Sequence, residues 1–159
     1  NLPAQFKMVK PSYQSISRET IPTLQLQNNV GYARVIAGAF EGVKGPARTF
    51  TPMNVVQLQL ERESSITLPA PNGWNALLVV LRGSLDSNGS IANSAQMLVY
   101  GNDHADIQIS TLEDSICLLL TGEPINESVV GYGPFVMNNE REIEAAISDF
   151  RSGKFGYIS

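Results

Sequence analysis

The chain of 159 residues offers few side chains of the types that perform chemistry in proteins. Its single histidine, His104, lies in the polar segment Gly101-Asn-Asp-His104. A Ser–His–Asp site needs a histidine beside an activated serine, and the sequence contains no Gly-x-Ser-x-Gly elbow to hold one. We therefore interpret residues 102–104 as a polar turn with an exposed or hydrogen-bonded imidazole.

Two pairs of neighbouring carboxylates, Glu61 with Glu63 and Glu113 with Asp114, are further candidates for acid–base catalysis. They fall at predicted strand ends and turns, where a solvated charge is the usual state. Residues 38–45 are rich in glycine but lack the Gly-Lys-Ser/Thr sequence of a phosphate-binding loop. The residues alone therefore favour neither paired acid–base chemistry nor nucleotide binding.

The single cysteine, Cys117, lies in the apolar run 116–120 and has no partner for an internal disulfide. This position predicts a buried structural thiol rather than a reactive one, and it fits a reducing, cytoplasm-like compartment. The net charge of −4 gives no general basic footprint, so we expect no direct nucleic-acid binding. No apolar run approaches the ~18 residues of a membrane span, so we expect no membrane partner.

For the segments that position these residues, the sequence predicts mainly β-strands. Val56, Leu58 and Leu60 alternate with polar residues, which predicts a strand with one buried face. In the segment 69–83, an apolar run lies between a Pro/Gly turn and a second glycine turn, which predicts a buried strand. We expect these two strands to form a pair at the heart of a small antiparallel barrel.

Further strands are predicted along the chain, for about nine or ten in all at roughly 8–12-residue spacing, which is typical of a sandwich or barrel. Asn-Gly within residues 86–90 predicts a hairpin, and residues 38–52 predict a long loop. The further strands are expected at residues 13–16, 23–26, 32–37, 96–100, 105–110 and 115–121.

A single helix is predicted near the C-terminus, with Asn138 or Asn139 as its cap and Gly153 at its end. Its apolar stripe is expected to pack on the barrel. The predicted organisation is a lead-in at 1–12, a barrel at 13–130, and a loop with the helix at 131–159. The stripe consists of Ile143, Ala146, Ile147 and Phe150.

Three segments that together span nearly the whole chain resemble, in this order, the pirin family of cupins. The third of them is the most specific. The first segment is Asn1-Leu-Pro3 followed by Lys7-Met8, Pro11 and Tyr13-Gln14. The second is Arg34-Val-Ile-Ala-Gly38 followed by Gly42-Val-Lys-Gly-Pro46, Thr49 and Thr51-Pro52. The third is Gly133-Pro-Phe-Val-Met-Asn138 followed by Glu142-Ile143, Phe150, Ser152-Gly153 and Phe155-Gly156.

The resemblance implies a mainly β fold: a cupin-type antiparallel barrel, that is, a double-stranded β-helix or jelly roll, with one C-terminal α-helix. Pirins are bicupins, and this chain resembles only the interdomain linker and the C-terminal barrel. In the family, the N-terminal barrel holds a mononuclear iron with three histidines and a glutamate. Some members have quercetin 2,3-dioxygenase activity, and some act as transcription cofactors in the nucleus.

The resemblance also locates where a cupin metal site would lie in this chain. None of the residues at the positions of the first cupin motif is a usual metal ligand. Counted back from the glycine that ends the motif, the acid falls on Ala76, and the histidine pair falls on Ala70 and Asn72 or on Pro69 and Pro71.

The second cupin motif does match at Gly101-Asn-Asp-His104, so His104 is the one candidate metal ligand. A catalytic non-haem iron needs about three protein ligands, and Asp103 and Asp106 are the nearest further oxygen donors in the sequence. The sequence still favours the polar turn. We therefore expect no catalytic residue, no metal and no other cofactor in this chain, and iron in the N-terminal cupin of the intact protein.

The leading functional hypothesis is a metal-free structural and interaction domain opposite that N-terminal cupin, without enzyme activity of its own. The alternatives are part of an iron-dependent quercetin 2,3-dioxygenase-like oxygenase, with its catalytic residues outside this chain, and a transcription-cofactor-type protein-binding module. Other protein partners and self-association of the isolated domain stay open, and a cytoplasmic location is expected, or a nuclear one in a eukaryote. The residues predicted for the interaction surface are Lys44, Arg48, Thr51, Trp74, Tyr132, Phe135 and Met137.

Overall fold

The computed structural model describes residues 1–103 and 106–156. The chain divides into two compact units. One unit comprises residues 12–124, and we call it the barrel unit. The other unites residues 1–11 with the described residues from 125 onward, and we call it the terminal unit.

The described residues of the barrel unit form two main antiparallel sheets and a small hairpin. The larger sheet has six strands in the order β1-β2-β5-β12-β7-β10, and the smaller has four in the order β6-β11-β8-β9, while β3 pairs with β4. The predicted barrel architecture is thereby confirmed. The strands are β1 (Thr23–Gln25), β2 (Gly31–Ala37), β3 (Ala39–Phe40), β4 (Val43–Lys44), β5 (Met53–Leu60), β6 (Ser65–Pro69), β7 (Asn75–Arg82), β8 (Ser84–Ser87), β9 (Ser90–Asn93), β10 (Met97–Tyr100), β11 (Asp106–Thr111) and β12 (Ser115–Gly122).

The core of the barrel unit lies between the inward faces of the two sheets. Burial alternates residue by residue along β5, β7 and β12, as the two-residue period of a strand requires. The smaller sheet contributes inward side chains such as Leu68 and Ile107 to the same hydrophobic cluster. Fully burying one such aliphatic side chain contributes about 1.5–3 kcal/mol. The predicted burial of Val56, Leu58 and Leu60 is confirmed.

The prediction that the strands around 56–60 and 76–82 pair with each other is wrong. These strands are β5 and β7, and β12 lies between them, antiparallel to both. The reason is the winding of the barrel. The chain passes from β5 to β6 in the opposite sheet before it returns as β7. The last strand of the barrel unit, β12, then lies between β5 and β7. The alternation of side chains predicts a strand but carries no information about its partner.

Residues 13–16 were predicted as a strand and have no regular secondary structure. A side chain anchors this segment instead of a backbone ladder. The Gln14 Nε2 donates to the Arg48 carbonyl at 3.0 Å, and the Arg48 N–H donates to Gln14 Oε1 at 3.0 Å. The predicted loop at 38–52 is also not wholly irregular, since it contains the β3–β4 hairpin. The predicted hairpin at Asn88-Gly89 is confirmed, because β8 and β9 flank a turn in which Asn88 has a φ of 52°.

In the terminal unit, the hairpin of β13 (Val130–Tyr132) and β14 (Phe135–Met137) precedes α1 (Glu140–Arg151). The predicted cap is confirmed: the Asn139 side chain accepts the N–H of Glu142 at 3.0 Å, and the Glu142 carboxylate accepts the N–H of Asn138 at 2.9 Å. The lead-in is bound to this unit, since the Ala4 N–H donates to the Glu127 carboxylate at 2.7 Å.

The predicted apolar stripe of α1 is only partly buried. Ile143 and Ala146 are buried, Ile147 is half-buried, and the Phe150 side chain is 64% exposed. The packing of this helix on the barrel stays a prediction. Within the described part of the chain, no helix has the length and apolar character required to cross a bilayer.

Candidate functional site

The positions of the first cupin metal motif lie at one end of β6 and β7, and apolar side chains fill the two that point inward. Ala70 and Ala76 are each 1% exposed and belong to the hydrophobic core cluster. Ala76 lies opposite Tyr100 on β10 and Thr121 on β12. Asn72 is exposed in the turn before β7. The inward positions therefore present methyl groups, not metal-binding atoms.

The residues at this place do not fit a mononuclear metal centre. Such a centre needs about three nitrogen or oxygen donors that converge on one point. Among residues 1–103 and 106–156, no group of three or more His, Cys, Asp or Glu side chains could hold a metal ion. Asp103 and Asp106 are exposed. The candidate ligand His104 lies outside the described residues.

The barrel interior contains one short chain of hydrogen bonds near these positions. The half-buried Tyr100 on β10 donates its hydroxyl to Ser87 Oγ at 3.1 Å, and the Ser87 hydroxyl donates to the Gln108 carbonyl at 2.9 Å. Burial raises the pKa of the Tyr100 phenol above its ordinary value, so the phenol stays protonated at neutral pH. Because Ser87 and Gln108 belong to the smaller sheet, this chain of bonds joins the two sheets of the barrel.

Cys117 is inert where the structure places it. The residue has no exposed surface, and burial raises the pKa of its thiol to about 12. A thiol that stays protonated is a weak nucleophile and a weak metal ligand. The prediction of a buried structural cysteine is confirmed.

The two carboxylate pairs that the sequence offered lie at the surface. The Asp114 carboxylate accepts the backbone N–H of Arg62 at 2.9 Å, which fixes the turn before β12. The Arg62 guanidinium contacts the Glu63 carboxylate at 3.2 Å with both side chains largely exposed, and such pairs contribute about 0–1 kcal/mol. Glu61 and Glu113 are also exposed, so these acids are solvated charges, as the sequence predicted.

The seven residues predicted for the interaction surface are divided between the two units. Lys44 and Arg48 are exposed, and Thr51 is half-buried, in the region that follows β3. Trp74 is half-buried just before β7, where its backbone N–H donates to the Pro71 carbonyl at 3.0 Å. The other three, Tyr132, Phe135 and Met137, lie on the β13–β14 hairpin of the terminal unit. Their role in binding stays a prediction.

Sequence reasoning missed a cluster of three aromatic rings in the terminal unit. Phe135, Phe150 and Phe155 have ring centroids 6.2–6.4 Å apart, and Phe150 and Phe155 are exposed. The helix period placed Phe150 on the buried stripe. It contained no signal that two phenylalanines outside the helix would meet that side chain.

Sequence reasoning also missed the outer surface of the six-stranded sheet. Leu81, Met97 and Val99 on β7 and β10 are 49%, 52% and 68% exposed. A signal for this surface was present in the apolar runs 76–81 and 116–120. Runs without polar alternation are typical of strands that are covered on both faces.

Comparison with known proteins relates the whole chain to one family. Residues 55–156 match the model of the Pirin C-terminal cupin domain. A quercetin 2,3-dioxygenase structure from Acinetobacter baumannii superposes on 100% of this chain and 56% of its own, with a TM-score of 0.93 and 39% identity. The expected cupin-type fold is thereby confirmed.

Curated relatives give the same picture. A Pseudomonas aeruginosa protein named as a candidate quercetin 2,3-dioxygenase is 39% identical over 98% of this chain and 54% of its own length. Human Pirin is 32% identical over 99% of this chain and 55% of its own length. The chain thus spans about half the length of the curated relatives it matches.

Proposed function

The chain belongs to the pirin family, by its match to the family's C-terminal cupin domain, and from that premise we propose that it is the metal-free interaction half of a two-barrel protein. The other half is a preceding cupin barrel that binds the catalytic metal. In this arrangement, the chain holds and shapes one side of the intact protein and performs no bond-making step itself.

The observation that supports this proposal is the chemistry of the two inward motif positions. Ala70 and Ala76 are buried in an apolar core, and their methyl groups cannot ligate a metal. The relatives at 54–56% coverage are nearly twice as long as this chain. A protein of that length has room for a second barrel, and on this proposal that barrel carries the full set of metal ligands.

We infer a second, finer function for that longer protein: oxygenation of a flavonol-type substrate, in which this chain forms part of the wall beside the other barrel. The observation that favours it is the 39% identity to a structure named quercetin 2,3-dioxygenase. Since the described residues contain no group of three or more His, Cys, Asp or Glu side chains that could hold a metal ion, the residues that activate oxygen and substrate lie in the preceding barrel on this proposal.

The test is quercetin-dependent oxygen uptake, measured with ferrous iron on this chain and on the longer protein that contains the preceding barrel. We expect uptake from the longer protein and a background rate from this chain. Uptake by this chain alone would overturn the metal-free proposal. Background rates from both, with iron bound by the longer protein, would overturn the oxygenase function and leave the metal-free role in place.

A further inference from the structure

The six-stranded sheet has an apolar outer face on three neighbouring strands, β12, β7 and β10. Residues directly opposite each other in an antiparallel ladder point to the same side of the sheet. Leu120, Leu77 and Val99 therefore stand in one row across the three strands. The next row consists of Leu118, Val79 and Met97. We call these six side chains the outer apolar face.

The members of this face are not covered by the core. Met97 and Val99 are exposed, and the other four are half-buried. Leu81, the next outward residue along β7, is exposed as well. The intervening residues, such as Leu78 and Leu119, point inward and are fully buried. The three strands are thus apolar on both sides.

The neighbouring strands β5 and β2 of the same sheet have a largely polar outward side. Beside Leu118 and Ile116, the outward positions of β5 and β2 hold Gln57, Gln59, Tyr32 and Arg34, and the Tyr32 hydroxyl donates to Gln59 Oε1. This is the solvated face that an antiparallel sheet normally presents. In the row of Leu118 the polar surface stops at β12, whereas in the row of Leu120 the neighbouring residue on β5 is Val55, which extends the apolar row by one residue.

The outer apolar face also lacks charge. The first charged side chain along β12, β7 and β10 is Arg82, at the end of β7. A surface without charged groups does not fit a nucleic acid or an anionic membrane, since those partners are held by basic side chains. Permanent contacts between protein domains are apolar in this way, whereas transient ones carry more polar groups.

We propose that the outer apolar face is the surface on which the preceding barrel of the same protein docks, an inference that rests on the proposed function. The family match is to a C-terminal domain, and this chain covers only 54–56% of the length of the relatives compared above. A barrel in the same polypeptide is present at a high effective concentration, so an uncharged face suffices to hold it. On this proposal the contact lies on the sheet and not at residues 44–52 or on the β13–β14 hairpin.

Thiol labelling tests the proposal, because the one native cysteine is buried with a pKa of about 12 and stays silent. Val99→Cys is introduced into this chain and into the longer protein, and the rate of maleimide labelling is measured for each folded protein. We expect labelling at position 99 to be roughly tenfold or more slower in the longer protein, since a docked barrel blocks the reagent. Met97→Cys is the second variant, in case Val99→Cys alters the fold.

Ile91→Cys is the matched control, because Ile91 is an exposed aliphatic residue on β9 of the other sheet. We expect it to react at the same rate in both proteins. Equal, fast labelling at positions 97 and 99 in both proteins would overturn the docking proposal, while iron bound by the longer protein would show the proposed function intact. If labelling of the isolated chain is slow and becomes faster on dilution, the face is covered by a second copy of the chain. That result would overturn the proposal as well.

Discussion

The inner and outer faces of β12, β7 and β10 are built from the same kinds of side chain but have different surroundings. On the inner face, Leu78, Val80 and Leu119 are fully buried against the opposite sheet. On the outer face, Met97 and Val99 point away from that core and remain exposed. Apolar side chains in this sheet therefore serve two contacts: one made within the barrel and one, on our proposal, made with another barrel.

The largest expected effect comes from Ala76→Glu, which places a carboxylate at the motif position of the family's acid. A buried charge without a partner costs about 3–5 kcal/mol, so we expect the free energy of unfolding to fall by that amount at neutral pH. Urea unfolding of the variant and the parent chain measures it. Asn72→Glu, at an exposed position of the same motif, is the control and should change stability by no more than about 0.5 kcal/mol.

The cost of Ala76→Glu should also depend on pH in a defined direction. Burial raises the pKa of the introduced carboxyl above its unfolded value of about 4.3. The unfolded state then loses its proton first as the pH rises, so the destabilisation is smallest near pH 4 and grows toward pH 8. A cost that did not change between these two pH values would show that the barrel interior at this position is open to water.

The next largest effect compares Leu78→Ala on the inner face with Leu81→Ala on the outer face of the same strand. Deleting a fully buried leucine leaves a cavity, so Leu78→Ala should lower the stability of this chain by about 2–5 kcal/mol. Leu81 is half exposed, and its truncation should cost less than about 1 kcal/mol in this chain. Equal losses from the two variants in thermal unfolding would contradict the distinction between the faces.

A smaller effect concerns the polar link inside the barrel. Tyr100→Phe removes the hydroxyl that donates to Ser87 Oγ, and the free energy of unfolding should fall by about 0.5–1.5 kcal/mol. Ser87→Ala is the companion variant, because it removes the bond to the Gln108 carbonyl as well and should cost at least as much. Denaturant unfolding of both variants measures the link between the two sheets.

The smallest effect in this chain, and the most selective one, is expected from Val99→Lys. An exposed lysine on a strand should change the stability of this chain by no more than about 0.5 kcal/mol. In the longer protein, the same ammonium would be covered by the docked barrel, and we expect a loss of about 2 kcal/mol or more. Ile91→Lys should be neutral in both proteins. The same small effect of Val99→Lys in both proteins would contradict docking on the outer apolar face.

The sequence predicted the elements of the barrel better than their arrangement. The alternation at Val56, Leu58 and Leu60 located β5, and Asn88-Gly89 located a hairpin, because both signals are local. The neighbours of β5 and β7 depend on how β12 returns to the six-stranded sheet, and no local sequence pattern encodes that choice. At residues 13–16, a side-chain anchor to the Arg48 backbone replaced the predicted ladder.

The candidate site was predictable only where the family motif supplied the register. That register led to Ala70 and Ala76, and the structure adds that both are buried. The outer apolar face was not predicted, because an apolar run indicates a buried strand but not what covers each of its two sides. A face that becomes covered by another domain has no signal within the chain except the absence of polar residues at the outward positions.

The most direct test of the central claim is the iron-to-protein ratio after anaerobic incubation with ferrous iron and desalting. The ratio is measured for this chain, for its His104→Ala variant and for the longer protein with the preceding barrel. We predict a ratio near zero for this chain and its variant and a ratio near one for the longer protein. A ratio near one for this chain that falls to zero with His104→Ala would show a metal site within this barrel and contradict the account.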